Sequence, residues 1–210
     1  MSVYTIALFL HVSGAIGAFV SVGIWLFGLS TLRRSQRVEQ VRAIAWLIVI
    51  ASPLMVFSVL LIIIAGLDMA LSTWGLGTGW IAVALVSFVL IGPVGAFALD
   101  PRMRAIMAIA REEPDGLLSD TLDRRIHDPV LGTGVQTLAA ALLGIVFLMT
   151  TKPSLAISIV VMVVALALGL ASGLPLWYAA RIRARRASAR VKSHADVDPF
   201  QRKTIWTRRW

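Results

Sequence analysis

Only one ionisable side chain lies well inside an apolar stretch of this chain: His11, in the segment 10–19, LHVSGAIGAF. A neutral imidazole within a membrane helix has two uses. It hydrogen-bonds a neighbouring helix, which contributes of order 1 kcal/mol, or it serves as an axial ligand to a b-type haem. The haem needs a second ligand at the same depth. His127 falls roughly 15–20 Å away along the membrane normal by rise counting, and His194 belongs to the tail. Depth counting brings Ser58, Ser87 and Met162 level with His11. The favoured reading is a packing histidine bonded to a serine hydroxyl, with no cofactor; the alternative is haem b held by His11 and Met162.

The remaining polar features offer less. Asp123 and His127 stand one helical turn apart, but Arg124 and Arg125 beside them point to a solvated acidic-basic loop over 112–128 rather than a cation site. Pro53, Pro93 and Pro175 interrupt apolar stretches, and each frees a carbonyl four residues earlier. Packing kinks are the favoured reading of these prolines. The alternative is a polar vestibule lined by Pro53, Pro93 and Gln136, serving a facilitator for a small solute. Ion-coupled transport is disfavoured, because it calls for buried carboxylates or a charge pair, and the spans hold none. No phosphate-binding loop, nucleophile elbow, HExxH or CxxC is present, so the reading is non-enzymatic.

The elements that must position these groups are membrane helices. Mean hydropathy is +0.84, hydrophobic residues make up 58% and charged ones 15%, which no average soluble domain shows. Five nearly charge-free runs, 4–32, 44–67, 80–99, 130–150 and 155–180, are each long enough to cross about 30 Å of hydrocarbon. They are apolar on every face, which excludes barrel strands. The first run lacks a basic n-region and an A-x-A site, so it reads as a permanent helix rather than a signal peptide. The expectation is an all-α, five-helix membrane domain over 1–180, followed by a basic tail over 181–210. Without cysteine, no disulfide or thiolate site arises.

On a helical wheel the first span has three sectors. Ser13, Gly17, Ser21 and Gly28 form a small-residue seam suited to close helix approach. His11, Gly14, Ala15, Ala18, Val22 and Trp25 form the next. Phe9, Val12, Ile16, Phe19, Val20, Leu26 and Phe27 face lipid. His11 therefore points into the bundle.

Of the 20 Lys and Arg residues, Lys152 alone falls on one side of the five spans, which puts the amino terminus outside and the tail in the cytoplasm of a bacterial inner membrane. The segment 101–111, PRMRAIMAIAR, gathers Met103, Ile106, Met107 and Ala110 on one face and suits a helix lying among the headgroups. The tail RIRARRASARVK extends the fifth helix and meets anionic lipid on the cytoplasmic face, and the stretch beyond it has no periodicity. Its charge shows no folded basic face for nucleic acid. A membrane-protein partner or a second copy is the expected contact for the seams.

LHVSGAIGAF, the GW before the third span and FLMTTKP closing the fourth together resemble a family of bacterial predicted integral membrane proteins, of the type known as domain of unknown function 2269. The matching positions are Leu10, His11, Val12, Gly14, Ala15, Met149, Lys152 and Pro153, and the likeness runs from about Tyr4 to Pro153. It implies a small polytopic inner-membrane protein with no assigned reaction; the function favoured by the chain's own features is that of an accessory or assembly subunit. The first helix also resembles those of membrane haem proteins of the copper-resistance and protoporphyrinogen-oxidase group, whose second intramembrane histidine this chain lacks.

Overall fold

Residues 2–182 are described by the structure, a computed structural model. The described chain divides at Leu174; the part from Pro175 onward is a separate compact unit, helical over residues 175–182. The basic tail beyond 182, with its expected lipid contact, lies outside the described residues. No strand occurs among the described residues.

Helix α1 (Val3–Leu32) starts where Ser2 Oγ accepts the Thr5 amide at 3.3 Å. Helix α2 (Val38–Met69) runs through Pro53 and widens into a π-helical turn, Ala70–Trp74, stopped by Gly75 at φ +79°. Only glycine adopts that backbone without strain. Helix α3 (Gly79–Pro93) passes through a second π-helical stretch, Val94–Leu99, into α4 (Asp100–Glu112). Proline leaves a carbonyl without its donor, and the wider π turns take up the mismatch. Helices α5 (Asp120–Ile126), α6 (Pro129–Thr151) and α7 (Leu155–Ser172) follow.

Five helical segments among the described residues are long and apolar enough to span a membrane: Val3–Leu32, Val38–Trp74, Gly79–Glu112, Asp120–Thr151 and Leu155–Ile182. Their outward faces are greasy: Phe27, Val89 and Phe97 are 77%, 72% and 80% exposed. In water such faces would be a liability; in lipid they lose nothing.

Two expectations about the basic end need correction. The face of α4 formed by Met103, Ile106, Met107 and Ala110 is covered by protein, not by headgroups, packing with Val38, Val41, Ala45, Leu122 and Ile126 in one core. Nor is 112–128 a solvated loop throughout. Ser119 Oγ caps α5 at the Leu122 amide, and Leu122 and Ile126, four residues apart, are fully buried. The linkers pair as well: the Val38 amide donates to Gly116 O at 3.0 Å, and Leu118 N to Gln36 O at 3.3 Å. The result is a small folded cap joined to the basic end of the bundle.

Candidate functional site

The site is built on the α1–α2 pair. A Cβ placed on Gly14 would lie 2.8 Å from the Ser58 carbonyl oxygen, and one on Gly17 would collide with Ser58 Oγ. Gly28 likewise receives Ile48: a Cβ there would lie 2.8 Å from Ile48 Cδ1, too close without a shift. Ser21 is buried, its hydroxyl turned back to Gly17 O at 2.9 Å, while Ser13 is half-buried. The best-covered stripe of α1 is Gly14, Ala18, Val22, Trp25 and Leu29. It lies slightly to one side of the small-residue stripe read from the sequence.

This close approach sets the place of His11. Its Nδ1 donates to the Ile62 carbonyl of α2 at 2.9 Å. The partner is therefore main chain and not a serine hydroxyl. Ser58 is held against Gly14 and Gly17, and Ser87 donates to Val83 O of its own helix at 2.7 Å. The ring fits because Gly66 has no side chain: a Cβ there would stand 2.9 Å from His11 Cε1.

Beside the imidazole is a cavity of about 60 Å³. His11, Gly66, Met69, Trp74, Trp80 and Met149 are among its walls, which are otherwise apolar. Met162 is not among them; it is buried against Gly144 of α6, its Sδ 3.0 Å from where a Cβ would be. The methionines that do share the cavity with His11, Met69 and Met149, were not singled out for it from depth counting, although FLMTTKP drew attention to Met149. At the same end, the Trp74 and Trp80 rings meet edge-on at 5.7 Å, and the Lys152 ammonium lies 4.2 Å above the Trp74 ring. Lys152 closes α6 in the left-handed conformation, φ 48°, its amide bonded to Leu148 O. Residues distant in sequence, from LHVSGAIGAF, GW and FLMTTKP, thus converge on one end of the bundle.

Pro53, Pro93 and Gln136 are not brought together. Both prolines are exposed on outward faces, since a proline ring adds no polar group to an interior. Gln136 accepts from Ser172 Oγ at 2.9 Å and lines a different cleft, with Arg33 and Arg34. Asp123 and His127 do meet, His127 Nδ1 lying 3.0 Å from the Asp123 carbonyl and 3.1 Å from its carboxylate, a helix-end contact. Asp128 caps α6 at the Val130 amide and pairs with Arg102 Nε at 3.2 Å. In the α1–α2 linker, the hydrogen bond from Arg37 to the Glu39 carboxylate at 2.8 Å raises the guanidinium pKa above its ordinary value. No group of three His, Cys, Asp or Glu able to hold a metal ion occurs among the described residues.

No curated protein and no solved structure matches this chain. A family described as Predicted integral membrane protein (DUF2269) matches over residues 5–153, a range holding His11, Trp74, Trp80, Met149 and Lys152. Five apolar spans, a histidine anchored between the first two, and this match over most of the chain lead to one conclusion: the protein belongs to the family of predicted integral membrane proteins DUF2269.

Proposed function

We propose that the protein is a non-enzymatic accessory or assembly subunit of a bacterial inner membrane, and that it works by lodging a small, mostly apolar group in the His11 cavity. The observation that carries this reading is the bond to Ile62 O. A carbonyl oxygen only accepts, so Nδ1 carries the proton, and Nε2 of the neutral ring is a bare acceptor. An apolar cavity beside one such acceptor suits a neutral group with a single donor. Arg33, Arg34, Arg37, Arg42, Arg102, Arg104, Arg111, Arg124 and Arg125 fall at the end opposite Lys152, which supports placing the cavity end outside and the cap in the cytoplasm.

The haem alternative has less support. Met162 does not line the cavity, and about 60 Å³ suits a few atoms rather than a macrocycle. The solute facilitator has less support too, since Pro53 and Pro93 face outward.

Nitrogen NMR of histidine-labelled protein in lipid nanodiscs tests the reading. His11 should show the Nδ1-protonated tautomer, and ethanol, a neutral probe of three heavy atoms with one O–H, should shift its Nε2 signal. Gly66→Val, which pushes the ring aside, should abolish that shift. An Nε2-protonated ring or an unmoved signal sinks the cavity's role. A Soret band in haem-replete preparations that vanishes in His11→Ala would replace it with the redox reading, and a carboxy-terminal tag exposed at the periplasmic surface would reverse the orientation.

A further inference from the structure

The walls of the His11 cavity include two thioether side chains that the hydrogen-bonding role leaves unused. Ile62, Gly66 and Met69 stand at i, i+4 and i+7 on one face of α2. The first supplies the carbonyl that holds Nδ1, the second makes room for the ring, and the third ends the helix as a wall of the cavity. Met149, three residues before the left-handed turn at Lys152, completes the set from α6. Three helices thus bring one imidazole and two thioethers to a cavity of about 60 Å³.

The hydrogen bond to Ile62 O puts the ring proton on Nδ1, the arrangement in which Nε2 offers its lone pair to a metal ion while the carbonyl behind the ring fixes its orientation. Thioether sulfur is a soft donor, and together with imidazole nitrogen it selects Cu(I). Calcium and magnesium ions call for oxygen ligands, and no carboxylate is among the walls. Charge gives the same answer. Three neutral donors leave the charge of the ion uncompensated, and the cost of burying it rises with the square of that charge. The Lys152 ammonium, 4.2 Å above the Trp74 ring, adds repulsion that a singly charged ion bears better than a doubly charged one. We propose that the cavity is a site for one soft monovalent metal ion, Cu(I), held by His11 Nε2 and the sulfurs of Met69 and Met149. The site rests on the same Nδ1–H ring as the proposed function and gives the cavity a second class of ligand, one that does not depend on a neutral guest.

The probe is Ag(I), a redox-inert ion of the same charge and softness, titrated in chloride-free buffer into the full chain in nanodiscs, with methionine methyl carbons and histidine nitrogens labelled. One equivalent should move His11 Nε2 together with the Met69 and Met149 methyl signals. Met162 should stay in place, being buried against Gly144 outside the cavity. Zn(II) should leave the Met69 and Met149 methyls unmoved, and Cu(I) added anaerobically should displace Ag(I). Met69→Leu and Met149→Leu keep the side-chain volume, and each should weaken Ag(I) binding by about tenfold or more. The double variant should lose the ion yet keep the ethanol shift at Nε2. Ag(I) binding to wild-type protein that shows no ethanol shift would sink the neutral guest and leave the metal site standing. Methyl shifts confined to other methionines, undiminished binding in the double variant, equal affinity for Zn(II), or no displacement by Cu(I) would each overturn the proposal.

Discussion

Gly14→Leu will destabilise the bundle by about 3 kcal/mol, a fall of roughly 6–12 °C in Tm for a chain of this size, measured by thermal unfolding in detergent. The new Cβ would begin 2.8 Å from the Ser58 carbonyl oxygen and 3.0 Å from Leu61 Cβ and Ile62 Cγ1. Those atoms belong to the main chain and to branched or packed side chains of α2, so relief requires the helices to part. Parting them pulls Ile62 away from His11, and the Nδ1 hydrogen bond is lost with the seam. Gly23 is the control, because nothing lies within 4 Å of its Cβ position. Gly23→Ala should hold stability or raise it by up to about 1 kcal/mol, the helix-propensity difference. Equal losses at the two positions would show that the close approach at Gly14 is not what matters.

Arg42→Met will loosen the cap by about 2 kcal/mol without disturbing the spans. The guanidinium of Arg42 reaches from α2 to three acceptors at the end of α4: Ala110 O at 3.1 Å, Glu113 O at 3.1 Å and the Asp115 carboxylate at 3.0 Å. Carbonyls at a helix end have no partners of their own, and a cation there also suits the helix dipole. The side chain is 36% exposed, so the ion pair with Asp115 counts for less than the bonds to main chain. Limited proteolysis between residues 112 and 119 should speed up about thirtyfold, the factor corresponding to 2 kcal/mol. Arg42→Lys should recover only part of the protection, since an ammonium cannot present the same fork. Unchanged cleavage in Arg42→Met would remove the clamp from the account.

Much of the membrane architecture was legible in the sequence because lipid imposes a coarse rule: long runs with no polar face. The wheel of α1 assigned Phe9, Val12, Ile16, Val20 and Phe27 to lipid, and all are exposed. Phe19 and Leu26, given the same side, instead pack half-buried against the core, because neighbouring helices cover more of α1 than one stripe. The cap was misread for a different reason. An amphipathic helix has the same pattern whether its apolar face meets lipid or protein, and 101–111 carries no mark to tell the two apart. Helix α5 is shorter still, with Leu122 and Ile126 its buried contacts among five polar residues. The Ser119 cap was the available signal. The cavity escaped depth counting because the Ile62 carbonyl that holds His11 has no side-chain signature, and neither has the π-helical turn that ends α2.

The cap also has a consequence for how the chain is made. Its core takes Leu29 and Leu32 from the first helix, Val41 and Ala45 from the second, Met103 and Ile106 from the fourth, and Leu131 and Val135 from the sixth. A chain emerging from the ribosome therefore covers the oily side of residues 100–112 only in part, with α1 and α2, until Leu122, Ile126, Leu131 and Val135 have been translated. Nascent chains halted after Glu112 should be bound by holdases and cleared by quality-control proteases faster than chains halted after Thr151. Faster clearance of the shorter chains would mark the fourth span as the segment whose insertion completes the core.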